Sequence, residues 1–559
     1  MNNLKKENTL YTTGIAITLI FSVIMQFNWV LADTATTAVV VANSAPTFGT
    51  DAYETTAVTT AAPVNTGSDV SFSAISDDPN ANSYYLVVCS TDAFSTTTGG
   101  GSATCDVATW GTSTSTTDLA TSTATYTTTG SEGCGETCAW YAYVCDTHAT
   151  NQKCTAASQG TGDSGSAFYV NHAPAFTVIT PTASVAPGGT VTFTATASDA
   201  DTSGTADTVK LVVCKTEGVT GTSCTGTEYC SSSLTASNPT CDGTVAIPAE
   251  GSQNYYPYVF DSHDMAATGS IHGVVDTYTA TNVAPVVSSV SLNSGTAITL
   301  TTESSTTDIS ITATITDNNG CADIDSGASD SYVDLYRSGI GRSSCDANAE
   351  DDNNNCYAEV DCLAPTGCEG GTDLDVAIIC TVPVQYHADP TDESTIYVAE
   401  NWTGTVVGKD EALDHEANAT AAVELNSFSA LDVTSAIDYT SLNVGELADA
   451  TVLPQTVTVT ATGNTGIDVE LSGINMTDSG NTIVVGAQKY GTTAVQYQNG
   501  TALTTSAAEL ELNCAKTTTS GSAATSTVYW GLQIPNKTVT GSYSGTITFG
   551  AVKGESANW

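Results

Sequence analysis

Three aspartates stand at matching places in three similar stretches of the chain, and their carboxylates are candidate cation ligands. Asp78, Asp199 and Asp317 each follow a run in which apolar and polar residues alternate. Alternation with a period of two is typical of a half-buried β-strand. Each aspartate is therefore predicted to begin the loop that follows a strand.

Further acidic residues extend this set. They follow the first aspartate closely or end a later apolar run: Asp146 in the first stretch, Asp201, Asp261 and Asp264 in the second, and Asp410 and Glu411 in the third. If the two strands are B and F of an immunoglobulin sandwich, they run in the same direction and their loops meet at one end. Converging carboxylates repel each other unless a cation lies between them, and Ca²⁺ accepts many oxygen ligands in irregular geometry. The pattern predicts calcium sites at the strand ends.

A simpler interpretation stays open for the same residues. Asp and Asn favour turns because their side chains bond to nearby backbone groups. The alternating acidic runs near Asp323 and Asp346 resemble part of a calcium loop, but neither completes the twelve-residue EF-hand pattern. Turn formation alone accounts for any single aspartate.

The strands that must position these side chains recur with a short linker. Asn-x-Ala-Pro occurs at Asn43, Asn171 and Asn282, at intervals close to the ~100 residues of an immunoglobulin-like sandwich. Proline at the start of an edge strand or an interdomain joint is expected, because it cannot donate a ladder hydrogen bond. We predict an all-β chain of tandem Ig-like β-sandwich domains. Its divisions are a signal peptide at 1–32, Ig-like domains at 43–170, 171–281 and 282–427, and a different C-terminal β-sandwich at 428–559.

Apolar runs inside each repeat predict the paired strands C and F. The C strands are expected at Tyr84–Cys89, Val209–Cys214 and Val333–Tyr336, and the F strands end at the second set of acidic residues. The third repeat is longer than the others because of a cysteine- and aspartate-rich insertion around Cys345 to Cys380. Insertions usually fall in surface loops.

Composition and charge narrow the function classes. Of 559 residues, 40% are hydrophobic and only 13% are charged, against about 25% charged in ordinary domains. The formal net charge is −47, with 12 Lys and Arg in all. Because binding to a phosphate backbone requires clustered cations, nucleic acid is not an expected partner. An anionic membrane surface is excluded for the same reason.

The N-terminus and the cysteines both indicate export. Lys5 and Lys6 precede an apolar run, and Val30-Leu31-Ala32 offers a cleavage site, so contact with a membrane is expected only through this signal peptide. An uncleaved anchor is the alternative. The chain is expected to be secreted or held at the cell surface.

The cysteines predict disulfides within repeats. The 17 cysteines divide into six, four and six among the repeats, with Cys514 left over. Zinc ligation would need paired Cys-x-x-Cys knuckles, which the sequence lacks. A Cys145–Cys154 pairing is expected. Cys514 is either buried or available for a bridge to another chain.

The sequence offers no catalytic motif. The six histidines lack metalloprotease spacing, and no nucleophile elbow or phosphate loop occurs, so the chain is predicted not to be an enzyme. Paired carboxylates leave a secreted glycoside hydrolase as an alternative, although a chain this acidic produces such pairs by chance. Five Asn-x-Thr acceptors near the C-terminus would permit glycosylation.

The Asn-x-Ala-Pro linkers, the strand-B aspartates and the Tyr-Val-x-Asp-x-His ends of two F strands carry a resemblance. They are similar to bacterial and archaeal cell-surface proteins built from Ig-like or cadherin-like repeats. The resemblance covers about residues 43–427 and implies a stalk, coat or surface-layer component, often with calcium at the joints. Partners would be other copies of the chain or cell-surface glycans and proteins. An adhesin that binds carbohydrate or protein on another cell is the alternative.

Overall fold

The chain divides into two compact units. A computed structural model describes residues 38–95, 103–156, 158–160, 167–324, 331–347, 354–410, 416–434, 436–494, 496–519 and 521–559. The first unit comprises the described residues up to Ala57, with Val70–Tyr126 and Ala139–Ala167. The second comprises Val58–Asp69, Thr127–Cys138 and Phe168–Trp559. The predicted signal peptide lies outside the described residues.

The regular secondary structure of the described residues is almost entirely β-strand. Those up to the second linker are β1 (Thr47–Glu54), β2 (Val64–Asn65), β3 (Asp69–Asp77), β4 (Tyr84–Cys89), β5 (Phe94–Ser95), β6 (Thr104–Cys105), β7 (Thr109–Thr112), β8 (Thr121–Thr127), β9 (Thr137–Cys138), β10 (Tyr141–Asp146), β11 (Gln159–Gly160) and β12 (Phe168–Asn171). The next stretch holds β13 (Ala175–Pro181), β14 (Ser184–Val185), β15 (Thr190–Ser198), β16 (Val209–Cys214), β17 (Val219–Thr220), β18 (Ser223–Cys224), β19 (Glu228–Ser231), β20 (Thr240–Thr244), β21 (Gly251–Asp261) and β22 (Asp276–Ala280).

The third stretch holds β23 (Val286–Leu292), β24 (Thr306–Thr316), β25 (Tyr332–Arg337), the short helix α1 (Arg342–Ala347), β26 (Cys356–Asp361), β27 (Asp375–Gln385), β28 (Trp402–Lys409) and β29 (Glu416–Val423). The C-terminal stretch holds β30 (Leu431–Val433), β31 (Leu447–Ala448), β32 (Gln455–Ala461), β33 (Ile467–Gly473), β34 (Met476–Asp478), β35 (Asn481–Ile483), β36 (Gln488–Gly491), β37 (Thr501–Ala502), β38 (Ala508–Cys514), β39 (Thr525–Gln533) and β40 (Ile547–Lys553). Single 3₁₀ turns lie at Asn293–Gly295, Cys321–Asp323, Val485–Ala487, Tyr497–Asn499 and Ser556–Asn558.

The first unit contains two sheets whose inner faces meet. Their strand orders are β1-β3-β8 and β11-β10-β4-β7. Phe72 of β3 packs against Trp140, with ring centroids 5.1 Å apart, and both are fully buried. The Tyr84 hydroxyl crosses the layer and donates to the carbonyl of Ala74. The predicted strands B, C and F of the first repeat are β3, β4 and β10.

The second repeat shows the Ig-like arrangement completely. One sheet has the order β13-β15-β20, and the other has the order β14-β22-β21-β16-β19. Strand β22 lies beside strand F, and β14 pairs with it in parallel to form the edge of this second sheet. Phe193 of β15 fills the centre, 4.9 Å from the ring of Tyr255 on β21. Alternate residues of β15 are buried, as the sequence pattern predicts.

The third repeat has the same two layers, β23-β24-β27 and β26-β25-β28-β29. The cysteine-rich stretch predicted as an insertion is not simply a surface loop, because β26 pairs with strand C and β27 pairs with strand B along its whole length. Alternate residues of β27 are buried in the core. The exposed face of β27 carries the apolar residues Ala377, Ile379 and Pro383, which mask that alternation in the sequence.

The C-terminal segment folds as a different sandwich. A sheet with the order β30-β32-β39-β36-β37 faces a three-stranded sheet with the order β38-β33-β40. The core between them includes Val459, Leu471 and Trp530. The two sheets differ in width, which leaves one side of the sandwich open.

Strands C and F of the repeats are buried on both faces. In β4 and β16 the five residues other than the second are all buried. The outer face of this pair carries a small apolar cluster of its own, which includes Val87 and Tyr143 in the first repeat and Val212 and Tyr258 in the second. A cysteine-bonded hairpin adjoins each cluster. This explains why the C strands read as continuous apolar runs.

Eight disulfides hold the described repeats, and all lie within a repeat as the cysteine counts predict. They are Cys89–Cys105, Cys134–Cys138, Cys145–Cys154, Cys214–Cys224, Cys230–Cys241, Cys321–Cys368, Cys345–Cys356 and Cys362–Cys380. The predicted Cys145–Cys154 pair is confirmed. Cys514 is free and only 1% exposed, which favours the buried alternative.

Nothing in the described part of the chain could serve as a membrane-spanning helix, since none of its helices has the required length and apolarity.

Candidate metal centres at the strand ends

The second repeat brings three carboxylates together at the ends of strands B and F. One oxygen from each of Asp199, Asp207 and Asp261 lies within 4.8 Å of the others. Asp199 follows β15 directly, and Asp261 is the last residue of β21. The predicted convergence of these two loops is therefore present. Asp207, from the loop before strand C, completes the group.

Burial makes this group electrostatically costly. Loss of solvent, together with the neighbouring carboxylates of Asp201, Asp261 and Asp207, raises the pKa of Asp199 from 3.8 to about 6. Burial also raises the pKa of Asp261, with a further contribution from the Asp207 carboxylate. The Oδ2 atom of Asp199 is buried and accepts no hydrogen bond from the residues that the structure describes. An orphaned carboxylate oxygen beside two others fits a bound cation.

Two predicted ligands of the second repeat lie outside this group. Asp201 accepts from the backbone N–H of His172 at 2.6 Å, and its other oxygen lies 3.0 Å from the His172 ring. Asp264 is exposed in the turn after β21, where it has a positive φ of 64°. Its backbone N–H donates to the carbonyl of Asp261. Asp201 therefore anchors the linker and Asp264 shapes a turn.

The third repeat holds a second group of the same kind. Oxygens of Asp317, Asp323 and Asp410 lie within 4.8 Å of one another, and each residue is at most 9% exposed. Asp323 lies on the 3₁₀ turn Cys321–Asp323, which begins at a disulfide to Cys368. An isolated antiparallel bridge between Ile324 and Asp410 joins this turn to the end of strand F. Glu411, also predicted as a ligand, lies outside the described residues.

The first repeat differs. Asp146 accepts three N–H donors, from His148 at 2.9 Å, from Lys153 at 3.1 Å and from the Asn43 side chain at 2.7 Å. No group of three close carboxylates forms around Asp146 or Asp78 among the described residues. Amide N–H groups thus hydrogen-bond to the Asp146 carboxylate in the place where the other repeats gather further carboxylates.

One turn is common to all three strand-B aspartates. An oxygen of Asp78, Asp199 and Asp317 accepts the backbone N–H two residues ahead, at 2.6, 2.9 and 2.7 Å respectively. This is the Asx turn that the simpler interpretation predicts. It uses one oxygen of each carboxylate, and the second oxygen of Asp78 and of Asp199 is buried with no hydrogen-bond partner among the described residues. The turn and a cation site are therefore compatible in the second repeat.

The same loops form the joint between the second and third repeats. The Asn319 side chain donates to the carbonyls of Ala249 at 2.9 Å and Thr281 at 3.0 Å, and accepts from the N–H of Val283 at 2.8 Å. Asn319 is 8% exposed. The side-chain amide atoms of the linker residue Asn282 are buried, and no described residue forms a hydrogen bond with them. A loop of one repeat thus fixes the linker from the other.

A third acidic group lies in the C-terminal sandwich, where no site was predicted. Oxygens of Asp468, Glu511 and Glu555 lie within 4.8 Å of one another, and the two glutamates are exposed. Repulsion from Glu555 and Asp468 raises the pKa of Glu511. Solvent satisfies exposed carboxylates, so this group lacks the orphaned buried oxygen of the second repeat.

Sequence reasoning missed Asp207, and it noted Asp323 only as part of an acidic run that resembles a calcium loop, not as a partner of Asp317 and Asp410. Both residues lie in loops, so no strand assignment points to them. A count of acidic residues between strands B and C would have offered both as candidates, since Asp207 follows Asp199 and Asp323 follows Asp317 in that interval.

No family model matches the chain, and no curated protein matches it. Solved structures with similar architecture include a marsupial T cell receptor, with a TM-score of 0.24, 10% identity, and coverage of 66% of this chain and 98% of that one. A four-domain ectodomain fragment of ICAM-5 has a TM-score of 0.20 and 9% identity, covering 90% of this chain and 99% of that one. The three N-terminal domains of the highly immunogenic outer capsid protein of bacteriophage RB49 have a TM-score of 0.18 and 14% identity, over 68% and 99%. Likeness at this level carries no argument about function.

Proposed function

We propose that the chain is an exported structural protein of the cell surface, a stalk, coat or surface-layer component built from disulfide-stabilised Ig-like repeats. The observation that carries the proposal is the joint at Asn319, where three hydrogen bonds fix one repeat to the linker from the previous one. A fixed joint suits a spacer that must hold its length. In this proposal the chain is not an enzyme.

A buried ionic network supports the same role at the next joint. The ammonium of Lys516, in the C-terminal sandwich, lies 3.0 Å from an oxygen of Asp389 in the third repeat. The guanidinium of Arg337 lies 3.1 Å from the other oxygen. Lys516 and Asp389 are 4% and 1% exposed as side chains. Burial of paired charges between two sandwiches fixes their mutual orientation more than it adds stability.

Calcium completes the proposal. Asp199, Asp207 and Asp261 would hold one ion and Asp317, Asp323 and Asp410 another, with backbone carbonyls and water filling the remaining positions. The ion would supply positive charge that cancels the repulsion within each group. The residues themselves orient the loops through the Asx turns and the linker contacts. Asp78 and Asp146 would take a structural part in the first repeat.

Electron microscopy of cells labelled for this protein tests the role. A structural component appears as a continuous layer or as regular fibres on the surface, and its partners are then other copies of itself. Scattered label together with specific hits on a glycan array would favour the adhesin, whose partners are glycans or proteins of another cell. Release into the medium with hydrolysis of a polysaccharide would contradict the proposal in favour of a secreted glycoside hydrolase.

A further inference from the structure

The C-terminal sandwich is open along one side. A cleft of about 400 Å³ lies where edge strand β30 of the wider sheet faces edge strand β40 of the narrower one. Most of its lining residues are apolar, among them Val433, Val457, Ile547 and Phe549, although polar atoms such as those of Thr434, Ser544 and Thr546 supply more of the exposed lining surface. Tyr439 also lines the cleft, and its hydroxyl is buried with no hydrogen-bond partner in the described part of the chain, although the residue is only 7% exposed. The narrower sheet has three strands, whereas the order of the wider sheet runs through five.

Strand β40 has an unused hydrogen-bonding edge. It pairs with β33 on one side and with no other strand among the described residues. Ile474 donates to the carbonyl of Thr546 and Gly554 donates to that of Gly466, so the even-numbered residues of β40 direct their backbone groups at β33. In an antiparallel pair the backbone groups alternate, so Phe549 and Ala551 direct theirs outward.

The sequence of this edge lacks the usual protection. β40 reads Ile-Thr-Phe-Gly-Ala-Val-Lys and carries no charge before Lys553. Natural edge strands are blunted by charges, proline or bulges, because open edges recruit further strands. An unprotected edge beside an apolar cleft is the arrangement that accepts an added strand.

The chain carries a segment suited to that position. Val39, Val40 and Val41 are 82%, 92% and 75% exposed, and this stretch pairs with no strand among the described residues. From Thr34 to Asn43 the sequence has neither charge nor proline. Consecutive β-branched residues favour the extended strand conformation.

The end of this segment is firmly held. The Asn43 side chain donates to Asp146 and to the carbonyl of Asn151, each at 2.7 Å. The valines therefore project from a fixed point. A fixed attachment lowers the entropy lost when the segment binds elsewhere.

We propose that residues 38–42 of one copy add as a strand to β40 in the cleft of a second copy. The donor segment and the acceptor edge are different surfaces of the chain, so the contact is heterologous, and a heterologous contact that does not close into a ring repeats into a head-to-tail fibre. The inference rests on the proposed structural role and names its mode of assembly. The donor valines would cover the apolar residues of the cleft, and the backbone of the donor segment would pair with Phe549 and Ala551.

Two variants separate donor from acceptor in the exported full chain. Val40→Asp places a charge in the donor, and Ala551→Pro removes an outward N–H of β40 without touching its ladder to β33. Val107→Asp, at another valine that is 70% exposed, is the matched control for the donor. Circular dichroism and melting verify folding. If Ala551→Pro unfolds, Ile547→Glu at the mouth of the cleft replaces it.

Light scattering and negative-stain microscopy give the outcome. Wild type and Val107→Asp form fibres, whereas Val40→Asp and Ala551→Pro each remain monomers. Mixing the two monomeric variants gives a one-to-one dimer and nothing longer, because only one donor and one acceptor remain. A labelled peptide of residues 33–43 binds Val40→Asp, and binds Ala551→Pro at least about tenfold more weakly, a loss of ~1.4 kcal/mol.

Fibres from either variant, a mixture that stays monomeric, or peptide binding that ignores Ala551→Pro would overturn the inference. Fibres from the variants would leave the structural role intact, since assembly would then use another contact. If the wild-type protein is monomeric in solution but still coats labelled cells, the added-strand inference is wrong while the structural role remains. Scattered or absent cell label would reject the structural role itself.

Discussion

The side-chain amide of Asn171 donates to the Oδ2 atom of Asp261 across 2.7 Å, and both residues are at most 2% exposed. Asn171 belongs to the second linker and Asp261 ends strand F. The same contact joins Asn43 to Asp146 at the first linker. The linker asparagine thus forms a hydrogen bond with the aspartate at the end of strand F, which explains why the two motifs occur together in the sequence.

Loss of this contact should destabilise the second repeat. Asn171→Ala leaves a buried carboxylate oxygen without its amide donor, which costs about 1–3 kcal/mol. Denaturant unfolding measures the change. Asn536→Ala, at an exposed position, is the control and should have little effect. Equal stability of the two variants would show that the linker contact is incidental.

Asp199 should link stability to pH and calcium. Its pKa in the folded protein is about 6, above the usual 3.8, so folding favours the protonated carboxyl. The stability that this group contributes is therefore fully present below about pH 4 and is lost as the pH rises through 6. In calcium-free protein Asp199→Asn should therefore raise Tm at pH 7.5 and change it little at pH 4. With calcium at pH 7.5 wild type should gain stability and the variant should gain much less.

Differential scanning calorimetry at the two pH values, with and without calcium, measures this effect. Asp264→Asn, at an exposed aspartate beyond Asp261, is the matched control and should follow wild type throughout. A variant whose Tm shows the same pH and calcium dependence as wild type would rule out Asp199 as the coupled group.

The disulfides should differ in their contribution according to the loops they close. Cys321–Cys368 spans 47 residues and Cys134–Cys138 spans 4. From unfolded-chain entropy, removal of the first should cost about 4 kcal/mol and of the second about 2 kcal/mol. Double Cys→Ala variants in denaturant unfolding measure both. Removal of Cys321–Cys368 should also weaken calcium binding, because it releases Asp323.

Lys516 should be essential for the last joint. Lys516→Met removes one of the two cations that these ion pairs place beside Asp389 and leaves the pair with Arg337. Breaking a buried ion pair lowers the free energy of unfolding by about 3–5 kcal/mol. Lys516→Met combined with Asp389→Asn should recover part of that loss. Lys537→Met, on an exposed lysine, should be neutral. An unaffected melting transition in Lys516→Met would remove the network from the account of this joint.

The strands of the repeats could be read from the sequence because their burial alternates. β15 and β24 follow the predicted alternation, and β4 and β16 coincide with the predicted C strands. The all-β Ig-like class follows from these strands. What the pattern could not show is which residues cover the outer face of the C strands, since this depends on how the nearby disulfide-bonded hairpins of Cys89–Cys105 and Cys214–Cys224 fold back.

The candidate sites were only partly readable. Asp199 with Asp261, and Asp317 with Asp410, converge because strands B and F end at the same side of the sandwich. Asp207 and Asp323 enter from loops whose paths depend on distant contacts, such as the bridge of Ile324 to Asp410. Sequence spacing carries no information about such contacts. The role of all these residues as calcium ligands stays a prediction.

Isothermal titration of calcium into the metal-free exported protein shows whether the acidic strand ends hold calcium. Wild type should bind at two sites, Asp207→Asn and Asp323→Asn should each lose one, and the double variant should lose both, while Asp264→Asn should bind as wild type does. Absence of binding to wild type, or binding that neither Asp207→Asn nor Asp323→Asn alters, would contradict the claim that the acidic strand ends hold calcium.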